Sequence, residues 1–120
     1  MRRMPFMTRF NKGDVILVPF PFSDQTTTKK HPAVIVSSDT YNNISQDIVI
    51  MAITGQIRSH LGVIEFLIED WQDAGLLKAS AVKSAVSTIE QRLVMKILGR
   101  FSSKDLSTLE KAIKELFDLR

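Results

Sequence analysis

Residues 13–38 read "GDVILVPFPFSDQTTTKKHPAVIVSS", two apolar runs separated by a polar loop that ends in Lys29, Lys30 and His31. Gly13-Asp14 is a turn pair of the kind that precedes a strand, and Val15 to Phe20 supplies that strand. Pro19 and Pro21 lack ladder donors, so the strand is expected to bend or leave the sheet there. The segment "SDQTTTKK" is a loop by composition, and "PAVIVSS" resumes as a strand whose unbroken apolar run predicts burial on both faces. His31 precedes Pro32, which biases it toward an extended conformation at the mouth of that second strand.

The same pattern continues outward. "DTYNNISQ" reads as a polar connection, and Asp47 to Thr54, "DIVIMAIT", as a third buried strand. Gly62 to Glu69, "GVIEFLIE", reads as a fourth strand whose two faces need a bulge to be reconciled. Short strands are expected around Ala79 to Lys83 and Val86 to Ile89, then a helical turn at "EQRLVMKIL" closed by Gly99. The last segment is a helix capped by Ser102 or Ser103. Its apolar positions Leu106, Leu109, Ile113, Leu116 and Phe117 form one stripe, opposite Lys104, Glu110, Lys111 and Lys114. Glu110 and Lys114 are spaced for a mildly favourable pair. Many short strands followed by one terminal helix predict a mainly β (α+β) fold, a small barrel or half-barrel of mostly antiparallel strands.

Composition sets the outer limits. The 120 residues, 44% of them hydrophobic, suit a single domain, with residues 1–12 expected as a basic N-terminal arm. There are no cysteines, which excludes disulfides and thiolate chemistry and fits a reducing cytoplasm. Two histidines, His31 and His60, cannot by themselves close a metal site, and no metal or other cofactor is expected. The start "MRRMPFMTRF" lacks the apolar segment of a signal peptide, and no stretch is apolar for long enough to span a membrane. A formal net charge of +3 mildly favours anionic partners.

Three clusters could carry chemistry. Residues 23–31 combine three threonine hydroxyls with Lys29 and Lys30, whose charges can follow a phosphate backbone; the same residues also suit a solvated hairpin loop. His31 at its end can serve as general acid or base, or as an ordinary structural histidine. In "ITGQIR", Ile53 to Arg58, Thr54 and Gln56 can donate to an anionic oxygen, Gly55 admits a close backbone and Arg58 can grip a phosphate bidentately. The alternative is a strand-end turn in which Thr54 satisfies backbone groups. The third cluster is Ser80, Lys83, Ser84, Ser87 and Thr88. A Ser80–Lys83 hydrolase dyad is excluded there, because three-residue spacing on a strand points the two side chains to opposite faces. Paired glycosidase carboxylates, Walker A and GxGxxG are missing.

In order and spacing these segments resemble the PemK/MazF family of bacterial toxins, small ribonucleases of toxin–antitoxin modules. The resemblance runs through "GDVILVPFPFSD", "KKHPAVIVSS", "DIVIMAITGQI" and "GLLKASAVKSAVSTIEQRLVMKILGRFS", roughly residues 13 to 118. It implies an SH3-like barrel related to the CcdB toxins, usually a homodimer, that binds single-stranded RNA and cuts it without metal. The cut proceeds by attack of the 2′-hydroxyl and leaves a 2′,3′-cyclic phosphate. The family's catalytic pair, an arginine before the proline and a threonine ending the third strand, falls by position on His31 and Thr54. Lys29, Lys30, Gln56 and Arg58 fall where RNA would lie, and the partners implied are that RNA and a cognate antitoxin.

His31 is a departure from the pattern. Guanidinium stays charged and offers two parallel hydrogen bonds, whereas imidazole offers one bond and a titratable proton. Either His31 serves as general acid or base, or the chain is a catalytically weakened relative that binds RNA or an antitoxin segment without cutting. Phe20, Phe22 and Tyr41 are the candidate aromatics for base stacking, with burial in the core the alternative expected for both phenylalanines.

Overall fold

The computed structural model describes residues 9–19, 30–57, 60–62 and 64–119. The predicted loop from Ser23 to Lys29, together with Phe20, Phe22, Arg58 and Val63, lies outside them.

Six strands form one antiparallel sheet in the order β4-β5-β3-β2-β1-β6, curled into a half-barrel. They are β1 (Asp14–Pro19), β2 (Lys30–Ile35), β3 (Asp47–Thr54), β4 (Phe66–Leu67), β5 (Ala81–Glu90) and β6 (Lys96–Arg100). Two helices complete the fold, α1 (Asp39–Ile44) and α2 (Ser103–Phe117). The small antiparallel barrel with a terminal helix is therefore what this sequence forms.

The apolar runs of the central strands are buried on both faces, as their lack of alternation predicts. One face carries Ile16, Val18, Ala33, Ile35, Ile48, Ile50 and Ala52, joined by Phe10 from the segment before β1. The other carries Val15, Val34, Met51, Ile53 and Val82, covered by Leu106, Leu109 and Ile113 of α2 and by Ile68 and Ala74. Gly13 opens β1 at φ +93°, with its N–H on Ile35 O at 2.8 Å and its carbonyl accepting from Phe101 N. Its missing side chain leaves room for Leu106, whose Cδ1 would lie 3.1 Å from a Cβ there. A backbone turn and a helix contact thus share one glycine.

Ser102 caps α2, its Oγ accepting from Asp105 N at 3.2 Å. Asp105 is 1% exposed and accepts the N–H groups of Glu69 and Asp70 at 2.9 and 2.8 Å, tying the helix start to the segment after β4. Lys104 pairs with Glu69 at 3.0 Å, and that hydrogen bond and charge raise the lysine pKa. Glu110 meets Lys12 at 3.3 Å instead of the expected Lys114. Phe117, at the end of the expected stripe, is 57% exposed.

Four expectations are corrected. The polar segment 39–46 contains a helix, because Ser38 caps α1 by accepting from Tyr41 N and Asp39 fixes its first turn by accepting from Lys12 N. The fourth strand shrinks to Phe66–Leu67, which among the described residues pairs with the start of β5, at Val82 and Ala81. The two strands expected at 79–83 and 86–89 are one ten-residue strand, with a register shift against β3 between Met51 and Ile53. Finally, Gly99 ends no helix. The turn is a 3-10 turn over Gln91–Leu93, and Gly99 lies in β6 where a Cβ would stand 2.5 Å from Ala74 C. Glycine there marks a close backbone approach, not a helix terminus.

Candidate active site

The two strands that carry His31 and Thr54 are neighbours. The β2–β3 register pairs Ile35 with Ile50, Val34 with Met51 and Ala33 with Ala52. The ladder ends at Ala33–Ala52, so His31 and Thr54 each lie two residues beyond its last pair. On either side, β1 pairs Val18 to His31 and β5 pairs Ala81 to Thr54. By strand alternation both pairs, Val18 with His31 and Thr54 with Ala81, lie on the face of Ala33 and Ala52, at the ends of neighbouring strands. His31 and Thr54 are both partly exposed, at the end of the sheet where its apolar packing stops.

Thr54 Oγ1 accepts from Gln56 N at 3.1 Å. This is the backbone-satisfying bond that a strand-end threonine offers, and it leaves the hydroxyl hydrogen available to an outside acceptor. Thr54 and Gln56 line a small open depression of about 60 Å³ with Ile57, Leu61, Glu65, Ala81 and Lys83. That is several times the space one water needs. His31 does not line this depression. Glu65 Oε1 is held by Gly62 N at 2.9 Å.

Lys30 is exposed at the head of β2, on the opposite face from His31 by strand alternation. Lys78 lies across Gly55: a Cβ on that glycine would collide with its Cε and sit 3.2 Å from its Nζ. Gly55 thus admits a lysine to the turn that follows Thr54, a contact the sequence reading did not anticipate. Lys29 and Arg58, expected on the RNA path, lie outside the described residues. Tyr41 is 37% exposed on α1.

In the third cluster, Ser80 is buried and donates to Lys78 O at 2.9 Å, closing a turn. Strand alternation puts it on the face opposite Lys83, so no Ser–Lys dyad forms. The sequence signal for Lys83 lay in that alternation. It shares a face with Ala81, Ala85 and Ile89, where a charge stands out among small and apolar residues. Among the described residues no cluster of three or more His, Cys, Asp or Glu could hold a metal ion. No helix among them is long and apolar enough to cross a membrane.

Comparison with known proteins places this arrangement. The sequence profile of the PemK-like, MazF-like toxins of type II toxin–antitoxin systems matches residues 11–117. A search of curated proteins finds no significant match. Among solved structures, an endoribonuclease from mycobacterial species aligns with TM-score 0.74 at 18% identity, covering 95% of this chain and 96% of the other. A MazE–MazF complex from Deinococcus radiodurans aligns with TM-score 0.74 at 13% identity, covering 94% and 100%. The Mycobacterium tuberculosis toxin MazF-mt6 aligns with TM-score 0.71 at 18% identity, covering 89% and 98%. At such identities these structures establish the shared fold, and the profile match establishes more: this chain belongs to the PemK-like, MazF-like toxin family of type II toxin–antitoxin systems.

Proposed function

We propose that the protein is the toxin of its module and a metal-independent endoribonuclease that cleaves single-stranded RNA in the cytoplasm. The observation that carries this reading is the placement of an imidazole and a hydroxyl donor on one face at the neighbouring ends of β2 and β3, where the sheet opens. Such a pair suits attack by a ribose 2′-hydroxyl on its own 3′-phosphodiester. His31 accepts the 2′-hydroxyl proton as the 2′-oxygen–phosphorus bond forms. The bond from phosphorus to the 5′-oxygen breaks, that oxygen takes a proton from water, and the hydroxide left takes the proton held by His31, which restores the neutral imidazole. The products are a 2′,3′-cyclic phosphate and a 5′-hydroxyl. Thr54 donates its hydroxyl hydrogen to a non-bridging oxygen as charge gathers there.

Lys29, Lys30, Gln56 and Arg58 are proposed to hold the RNA backbone on either side of the cut. The protein is proposed to act as a homodimer, neutralised by a cognate antitoxin whose disordered segment folds over the same face. Structures of similar fold described as a MazE–MazF complex and as an endoribonuclease with its cognate antitoxin support that partner.

The test is incubation of a long single-stranded RNA with the purified protein in excess chelator, followed by analysis of fragment ends. Wild type should give discrete fragments bearing cyclic phosphate, and His31→Ala and Thr54→Ala should each be slower by about 100-fold. Intact RNA bound by the wild-type protein would overturn the enzyme reading and leave a binding module on this fold.

A further inference from the structure

Lys83 is a half-buried cation of β5 that lines the depression together with Thr54 and Glu65. No hydrogen bond or ion pair joins it to another described residue. Glu65, the carboxylate of the same depression, takes the Gly62 N–H on Oε1 at 2.9 Å and forms no ion pair with Lys83. The ammonium therefore keeps its donors for an anion seated against Thr54.

The position fits a reacting phosphodiester. Thr54 pairs with Ala81, and Lys83 is two residues further along the same face of β5, a diagonal neighbour within reach of a long side chain. Lys83 shares the depression with Thr54, and His31 lies on the same face at the neighbouring end of β2. A phosphate placed over the Thr54 hydroxyl would thus have a proton acceptor on one side and a fixed positive charge on the other.

We propose that Lys83 is a catalytic residue of RNA cleavage, holding with its ammonium the negative charge that develops on the non-bridging phosphate oxygens. This rests on the ribonuclease reading above. Lys83 transfers no proton: the 2′-hydroxyl proton goes to His31, the 5′-oxygen is protonated by water, and the lysine stays cationic throughout. Its contribution comes from the growth of charge at the phosphorus centre, so it falls on the rate of the step more than on affinity for the ground state.

The experiment measures single-turnover cleavage of a long single-stranded RNA in chelator, alongside binding of the same sequence as 2′-O-methyl RNA, which has no nucleophile. Lys83→Met should slow cleavage at saturating protein by about 100-fold while weakening 2′-O-methyl RNA binding by less than about threefold. Lys83→Arg, which keeps the charge, should recover cleavage to within about tenfold of wild type. A thermal melt of each variant separates loss of fold from loss of chemistry. Wild-type rates in Lys83→Met, equal losses in rate and affinity, or no recovery in a folded Lys83→Arg would overturn the proposal while leaving the ribonuclease reading intact. Failure of the wild-type protein to cleave would overturn both.

Discussion

Thr54 shows how one side chain can serve the fold and the chemistry together. Its oxygen accepts the Gln56 N–H, which fixes the rotamer, and its hydrogen remains for a ligand. Serine in its place keeps both functions and gives up only the methyl group, whereas valine keeps the shape and loses the hydroxyl. Thr54→Ser should therefore retain cleavage within about tenfold, and Thr54→Val should fall by about 100-fold. Initial rates of RNA cleavage by the two variants decide it, and equal activities would show that the hydroxyl is not used. The strand-end positions of Thr54 and His31 were legible in the sequence because each ends or opens a plain apolar run. Lys83 was weighed only as the partner of Ser80 and set aside with it, because the pairing of Thr54 with Ala81 that brings it near is a long-range contact with no local signal.

At the scale of elements, legibility follows how local the determining signal is. β3 spans Asp47–Thr54 as its unbroken apolar run predicts, and α2 starts at the serine cap and carries its stripe onto the sheet. Where a signal depends on a distant partner, local reading fails. Gly99 looks like a helix stop in isolation, but its lack of a side chain answers to the backbone at Ala74, across the fold. The link between Asp105 and the N–H groups of Glu69 and Asp70 is equally non-local, spanning 36 and 35 residues. Removing that buried carboxylate leaves both donors without their acceptor. Asp105→Ala should lower stability by about 3 kcal/mol, read from urea unfolding. A change within experimental error would mean that water replaces the carboxylate.

The whole molecule presents its charge unevenly around the open sheet end. Lys30 opens β2 and Lys78 lies over Gly55, both exposed, with Lys83 recessed between the strands. The exposed pair should act by releasing counterions from RNA, and the recessed one by stabilising the transition state. Lys30→Ala and Lys78→Ala should each weaken RNA binding and flatten the dependence of log affinity on log salt by about 0.7. Cleavage at saturating protein should change by less than about threefold in either variant. Salt titrations of RNA binding measure this directly. An unchanged slope in both variants would move the RNA path away from these lysines.

The central claim is that His31 and Thr54, carried on one face at the neighbouring ends of β2 and β3, act on one phosphodiester as a single unit. A double-mutant cycle on single-turnover RNA cleavage tests it most directly, using His31→Ala, Thr54→Ala and the double variant. Residues that work as a unit are not additive, so the double variant should be no more than about tenfold slower than the slower single variant. Losses that multiply, to about 10,000-fold when each single variant loses about 100-fold, would mean that the two residues act independently and would contradict the shared centre.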